Sequence, residues 1–491
     1  MSTPFAIPNP LATTSEQFAR AAIGRVVLHP SISSPRPPLG GEEGALGAYR
    51  AFFREGAEAL PRIVARPGSE ITWHLPEVVR ELRDESPEGT VIKFLTRIPA
   101  VTTYTDAEGK TTTLAPSSTS ITQSLTHLEV ESVLIPMLGS TGKTTYTLCV
   151  SSQVGCAMGC TFCETAQMGL IRSLAPHEIV AQWWAATHLV LGSNEVTKLR
   201  SDRVAKVTPS LRHSVTPSLL PVNNIVFMGM GEPMDNIENV IAAIEILRDH
   251  NGAHVPTSNI TVSTVGRVDG INRLAREVPR EGWHRLGIAL SLNAPNDSDR
   301  SKIMPINRKY DLAQVRDALL KWPKFGGNKI CVEYVLIPGE NDTRQHAEQI
   351  ADFIRPFGMH KSAGTTGVPA REDTSAVPRR GERETAPALP TDSEPIDSTT
   401  EPASKARLRA VLNLIPYNPR RNSPWPAPTE DQVEQFINWL IEEGVFVKRR
   451  RTKGRQMMGA CGQLGSEQIR RRQVVTPTVS ASRTDVASTQ H

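Results

Sequence analysis

The chain predicts an α/β fold, an incomplete parallel barrel of about six strand–helix units, and two observations carry that reading. Short apolar, strand-like runs alternate with stretches of helical periodicity from Thr144 to Ile441, which implies parallel strands joined by crossover helices. The conspicuous short motifs also fall at the carboxyl ends of those runs, where barrels of this type carry their chemistry.

Taken in order, Thr144 to Ser152 reads as a strand that feeds a cysteine-rich loop. Pro176 opens a helix, a position where its missing N–H costs nothing. Asn224 to Met228 is a short apolar strand, and Ile237, Val240, Ile241, Ile244 and Leu247 form one face of the helix after it. Ile260–Thr264, Leu286–Leu292, Cys331–Ile337 and Val411–Pro416 repeat the strand signal, and Thr343 to Ile354 repeats the helical one. The last helix runs from Thr429 to Ile441, with a Thr cap and an apolar stripe through Val433, Phe436, Ile437 and Leu440.

Three stretches read as loose. Residues 1–42 are rich in Pro, Ser and Gly, which predicts a disordered amino-terminal segment. Residues 193–221 hold the near-repeat Val207-Thr-Pro-Ser-Leu-Arg and Val215-Thr-Pro-Ser-Leu-Leu, and residues 361–405 are dominated by Thr, Ser, Pro, Ala, Glu and Arg. Both read as inserts that could be removed without touching the chemical motifs.

The 491 residues suit two or three domains at about 150 residues each, and a 39% hydrophobic fraction can supply a sizeable core. Six cysteines over that length give no disulfide framework. No apolar run approaches the roughly 20 residues of a membrane span, and Met1-Ser-Thr-Pro-Phe-Ala-Ile-Pro-Asn-Pro10 lacks the features of a secretion signal. The expectation is a soluble, cytoplasmic protein in a reducing compartment. Net charge is only +4 and by itself argues for no partner. Its distribution is more informative: Lys448, Arg449, Arg450, Arg451, Lys453 and Arg455 crowd one segment, and Arg470, Arg471 and Arg472 follow. Such a run is either a solvated face or a surface for a phosphate backbone.

The most informative motif is Val154-Gly-Cys-Ala-Met-Gly-Cys-Thr-Phe-Cys163. Cys156, Cys160 and Cys163 can ligate three irons of a [4Fe-4S] cube and leave the fourth open for S-adenosylmethionine, which predicts radical chemistry. The alternative is structural zinc, which usually closes with a fourth Cys or His in paired short spacings. Neither accompanies this loop. Gly229-Met-Gly-Glu-Pro233 lets backbone approach a ligand, with Glu232 to accept hydrogen bonds from its ammonium or ribose. Ser263, Ser291, Asn293 and Asn413 sit at successive strand ends; singly each reads as a loop cap, together they ring one barrel mouth. Cys461 lies among small residues behind the basic run, where nearby cations favour its thiolate. Cys149 and Cys331 lie on strands, and a buried small hydrophobe is the simple reading of each. Glu131 interrupts an apolar strand and reads as a strand-edge charge.

Assembled, these residues make the chain resemble the RlmN/Cfr family of radical SAM RNA methyltransferases, closest to the RlmN type. The match spans roughly residues 126–360 and 407–466 through Val130-Glu-Ser-Val, Leu148-Cys-Val-Ser-Ser-Gln-Val-Gly-Cys156, Thr165-Ala-Gln-Met-Gly169, Met228-Gly-Met-Gly-Glu-Pro233, Val262-Ser-Thr264, Ser291-Leu-Asn-Ala-Pro295, Met304-Pro-Ile-Asn307, Asn413-Leu-Ile-Pro416 and Ala460-Cys-Gly-Gln-Leu464. The resemblance implies a partial, TIM-like (β/α)6 radical SAM barrel over residues 126–466. An accessory domain at 43–125, in the place of the family's RNA-contacting domain, would precede it, and a basic, polar tail at 467–491 would follow.

It further implies Cys156, Cys160 and Cys163 as cluster ligands, and Gly231, Glu232, Ser263, Ser291, Asn293 and Asn413 as S-adenosylmethionine contacts. Cys461 would be the cysteine that becomes S-methylated, Cys149 its partner in a transient disulfide, and Glu131 the proton acceptor. Asn293 stands where the family commonly carries His. The implied reaction is methylation of adenosine C2 in 23S ribosomal RNA, with transfer RNA as a second substrate. C8 methylation of the same base and a non-catalytic iron–sulfur RNA-binding protein are the alternatives. The implied companions are RNA and a flavodoxin or ferredoxin as electron donor, with the protein a monomer and no membrane involved.

Overall fold

The computed structural model describes residues 4–30, 37–106, 109–116, 125–138, 144–192, 222–325, 329–358, 409–450, 454, 458–460 and 462–465. The inserts at 193–221 and 361–405 and the tail at 467–491 lie outside the described residues.

A ten-stranded sheet organises the chain. Its strands are β1 (Glu77–Ser86), β2 (Gly89–Pro99), β3 (His127–Leu138), β4 (Thr144–Cys149), β5 (Val222–Phe227), β6 (Ile260–Thr264), β7 (Gly287–Ser291), β8 (Lys329–Leu336), β9 (Arg409–Pro416) and β10 (Val447–Arg449), and they lie side by side in chain order. From β4 to β10 every neighbouring pair is parallel. Helices α1 (Pro176–Ala185), α2 (Ile237–Arg248), α3 (Val268–Ala275), α4 (Asp297–Ile303), α5 (Leu312–Leu320), α6 (Arg344–Ile354) and α7 (Glu430–Glu442) fill the crossovers. Strand order never reverses, so there is no switch point of the doubly wound kind, and the parallel part has the order of an open barrel. At its other edge the antiparallel strands β1–β3 extend the same sheet. β2 pairs with β3 from Ile92↔Leu134 to Pro99↔His127, so the region before residue 125 shares a sheet with the region after it.

The pairing register fixes which side chains share a face, because directly opposed residues point the same way. Leu148, Ile225, Val262, Ile288, Leu290, Val332, Tyr334, Leu336, Leu412 and Leu414 lie on the face packed under the helices and are buried. The other face carries Lys93↔Val133↔Cys149 at one edge and Ser291↔Glu333↔Asn413 at the other, with Ser263↔Ala289↔Cys331 one step deeper. Glu131, two residues from Val133 on β3, shares that face. Nearly every polar residue singled out on a strand therefore faces the barrel interior.

Two expectations are corrected. Residues 1–42, read as disordered, fold where they are described. Ser15–Ala22 is a helix whose buried Ser15, Phe18, Ala19 and Ala22 follow an i, i+3, i+4, i+7 stripe, and Thr14 and Gln17 cap it reciprocally. It packs with the helix Gly41–Glu55, and Phe18, Tyr49, Phe52 and Phe53 continue into Trp183 and Trp184 of α1. The polar residues and prolines that suggested disorder act as caps and turns. Cys331 is not part of the helix-side core: it is half-buried on the interior face, and its Sγ accepts a hydrogen bond from Asn413 Nδ2 at 3.0 Å. Among the described residues no helix is long and apolar enough to cross a membrane.

Candidate active site

The cysteine loop leaves the carboxyl end of β4 and is framed by the short antiparallel pair Gln153–Gly155 and Leu170–Ser173. Gly155 has φ +77°, and a Cβ there would lie 1.9 Å from Gly169 O, so only glycine lets the two strands close beside Cys156. Cys156 N then donates to Gly169 O at 3.0 Å, and Thr161 N donates to Ile303 O at 3.0 Å, which ties the loop to the end of α4. Around the thiols lies a second apolar cluster, separate from the main core: Met158, Phe162, Ala294, Ile303, Met304 and Ile337, with Tyr417.

All three cysteines line one cavity, which opens to solvent. Burial pushes each of the three thiols above its ordinary pKa. Thiolates in this setting need a cationic partner, and three soft sulfur donors suit an iron–sulfur cube. Three cysteines lining one cavity are a donor set that fits a cube.

The opposite wall comes from the carboxyl ends of β5 to β9. Gly231 has φ +98°, and a Cβ there would meet Gln153 Cβ at 2.5 Å. Glu232 is buried; its carboxylate accepts from Met234 N at 3.2 Å and Val265 N at 3.0 Å, and burial raises its pKa to about 7. Ser291 lines the cavity, with Ser263 behind it at 3.5 Å between hydroxyls. Asn293 is also in the wall but is occupied internally: its Oδ1 accepts from Val335 N at 3.0 Å, its Nδ2 donates to Met304 Sδ, and its backbone is left-handed at φ 55°. Asn413 stands one step back, in register with Glu333 and bonded to Cys331.

Two residues not singled out in the sequence bear on this wall, Glu333 in its lining and Arg300 through the strand-end carbonyls it bonds. Glu333, on the interior face of β8, lines the cavity, accepts from Ser263 Oγ at 3.4 Å and pairs with Arg450 Nη1 at 3.4 Å. Burial raises its pKa, and the Arg450 charge opposes that shift. Arg300 of α4 is fully buried and ties the strand ends together. It donates to Leu292 O at 3.0 Å, Val265 O at 2.6 Å, Ser291 O at 3.2 Å and Asn307 Oδ1 at 2.9 Å. Burial lowers its pKa to about 10, so it stays a cation at neutral pH.

The third wall is the segment around Cys461. Cys461 itself lies outside the described residues, as do Arg451, Lys453, Arg455 and Arg470–Arg472 of the basic run. Its neighbours Gly462 and Leu464 line the cavity. Glu164 N, one residue past Cys163, donates to Gly462 O at 2.8 Å, and Thr165 Oγ1 donates to Leu464 O at 2.6 Å. Gly465 N donates to Glu131 Oε2 at 2.9 Å. Glu131 is thus no strand-edge charge; it is 1% exposed and lies on the same sheet face as the buried Cys149.

Residues 221–354 match the family model of the Radical SAM superfamily. Over 345 residues the chain is 34% identical to the probable dual-specificity RNA methyltransferase RlmN 1 of Protochlamydia amoebophila, covering 70% of this chain and 72% of that one. The chain belongs to the RlmN family. A second member, the dual-specificity RNA methyltransferase RlmN 2 of Myxococcus xanthus, is 35% identical over 337 residues, covering 69% of this chain and 68% of the relative. Among solved structures, a radical SAM methyltransferase from Sphaerobacter thermophilus superposes with a TM-score of 0.59 at 26% identity, covering 94% of this chain and 99% of that one. Family membership fits the barrel architecture.

Proposed function

We propose that the protein methylates C2 of an adenosine in 23S ribosomal RNA, and also in transfer RNA, through a methyl group first carried on Cys461. The observation that carries this reading is the composition of one cavity: three cysteines, the Gly231–Glu232 turn with Ser291 and Asn293, and Gly462 and Leu464 just after Cys461. The RNA substrate follows from relatives named as dual-specificity RNA methyltransferases.

Cys156, Cys160 and Cys163 would hold the [4Fe-4S] cluster, with Gly231, Glu232, Ser263, Ser291, Asn293 and Asn413 disposed around S-adenosylmethionine. When bound, these groups supply hydrogen abstraction from a methyl group, which ordinary methyl transfer to a non-nucleophilic ring carbon cannot provide. The protein's own part is to carry carbon, proton and electrons. Cys461 carries the methyl carbon, which bonds to adenine C2. Glu131 accepts the C2 proton. The Cys149 thiolate then attacks the Cys461 sulfur, and the sulfur–carbon bond breaks with its electron pair going to the carbon, which takes up a proton to complete the methyl group. The resulting disulfide is reopened by two electrons from an external reductant. A flavodoxin or ferredoxin is the class of electron donor this requires, and a reducing, cytoplasmic setting suits the thiols. Lys448, in register with Asn413 on the interior face, and Arg450 beside Glu333 put cationic side chains on the cavity side for RNA, from which the adenine must leave its stack.

Anaerobic reconstitution with iron, sulfide, reductant and S-adenosylmethionine, followed by nucleoside mass spectrometry of added ribosomal RNA fragments or transfer RNA, tests the proposal. 2-Methyladenosine is expected; 8-methyladenosine, or unmodified RNA alongside S-adenosylmethionine cleavage, overturns it. With Cys149→Ala, RNA should remain crosslinked to the protein through Cys461.

A further inference from the structure

Lys93 and Glu131 form a buried ion pair between β2 and β3, Nζ to Oε2 at 2.9 Å, with the residues 5% and 1% exposed. A buried pair of this kind is weak as a source of stability, because desolvating both charges offsets most of their attraction. Its best-attested use is to fix position, and here the further bonds of each partner say what is fixed. Lys93 Nζ also donates to Met458 O at 3.0 Å, and Glu131 Oε2 also accepts from Gly465 N at 2.9 Å. One ion pair thus holds the main chain on both sides of Cys461, across 365 and 334 residues of sequence. Met458 has φ 52°, a conformation that non-glycine residues adopt only where the surroundings impose it. Lys93, Val133 and Cys149 lie opposite one another on adjacent strands, so the pair and Cys149 share one sheet face.

We propose that Lys93 is a positioning residue: with Glu131 it clasps Met458 and Gly465, and so sets the Cys461-bearing segment against the sheet face that carries Cys149. The same contact places a fixed cation beside the carboxylate assigned to take the C2 proton. This proposal rests on the functional reading above for the roles of Cys461, Cys149 and Glu131.

Hydrogen exchange on the full-length protein, without S-adenosylmethionine or RNA, tests the clasp apart from the chemistry. In Lys93→Met, amides of Met458–Gly465 should exchange at least about tenfold faster, while peptides from β6, β7 and α2 keep their wild-type rates. Lys93→Arg, which retains the charge and donors, should fall between the two, and it decides the matter if Lys93→Met does not fold. Unchanged exchange at Met458–Gly465, or an equal rise everywhere, overturns the clasp.

The second readout is the pH dependence of RNA release from the crosslinked adduct in the reconstituted enzyme. Removing a cation 2.9 Å from the carboxylate disfavours its charged form, so the acidic limb should move up in Lys93→Met and return toward wild type in Lys93→Arg. A limb that stays in place refutes the positioning role. If the wild-type enzyme makes no methylated adenosine, the functional reading fails while the exchange measurement still judges the clasp.

Discussion

At Gly231 the backbone sits at φ +98° and the nearest foreign carbon is 2.5 Å from where a Cβ would stand. Both facts point to a turn that admits no side chain, and the cavity wall is built on it. Gly231→Ala is therefore expected to destabilise the protein by about 1–3 kcal/mol and to weaken S-adenosylmethionine binding at least tenfold, read by urea unfolding and by equilibrium dialysis. This residue was legible in the sequence, because a Gly-Met-Gly-Glu-Pro turn after an apolar strand announces close approach. Asn293, also read from its strand end, does line the cavity, although its side chain spends its hydrogen bonds on Val335 and Met304. Glu333 was missed. A lone charge inside Cys331-Val-Glu-Tyr-Val was available as a signal, but only the strand's pairing register shows that Cys331 and Glu333 face inward. Cys331 was misread for the same reason: alternation identifies two faces without saying which one is the core.

Among the elements, α4 has a part out of proportion to its seven residues. Asn296 caps it by accepting from Asp299 N at 2.9 Å, and Arg300 reaches from it to the carbonyls of Val265, Ser291 and Leu292. The ends of β6 and β7 are thereby held at a fixed separation by one planar cation. Arg300→Gln should cost at least about 3 kcal/mol, since several buried acceptors lose a charged donor together. Arg300→Lys should recover little, because a single ammonium cannot span carbonyls on two loops. Urea midpoints and the S-adenosylmethionine KM of each variant give the check; wild-type values in Arg300→Lys would refute the argument. Most of the elements named in the sequence were readable to within a residue or two: Ile260–Thr264 coincides with β6, and Thr343 and Thr429 are the N-caps of α6 and α7, whereas β4 ends at Cys149, three residues before the Ser152 expected. Their periods are strong because each element buries one face against a single core. What could not be read was the continuation of the sheet through β1 to β3, since antiparallel pairing across the boundary at residue 125 leaves no local mark.

For the whole molecule, the amino-terminal helices and the barrel share one core instead of meeting at a linker. Phe52 stacks on Trp184 at 5.4 Å and meets Trp73 edge-on at 5.2 Å, and Trp184 Nε1 donates to Phe52 O at 3.1 Å. Phe52→Ala should cost about 3–5 kcal/mol and lower the single unfolding midpoint of the whole protein. A separate early transition confined to the amino terminus would contradict the shared core. Composition concealed this region because its few apolar residues, Leu11, Phe18, Ala19 and Ala22, are diluted by the capping and turn residues that let them pack. The packing around the thiols follows the opposite plan, as an apolar collar detached from the main core. Disturbance at the thiols is therefore expected to stay local, read as faster hydrogen exchange at Cys156–Cys163 with α2 and α7 unchanged.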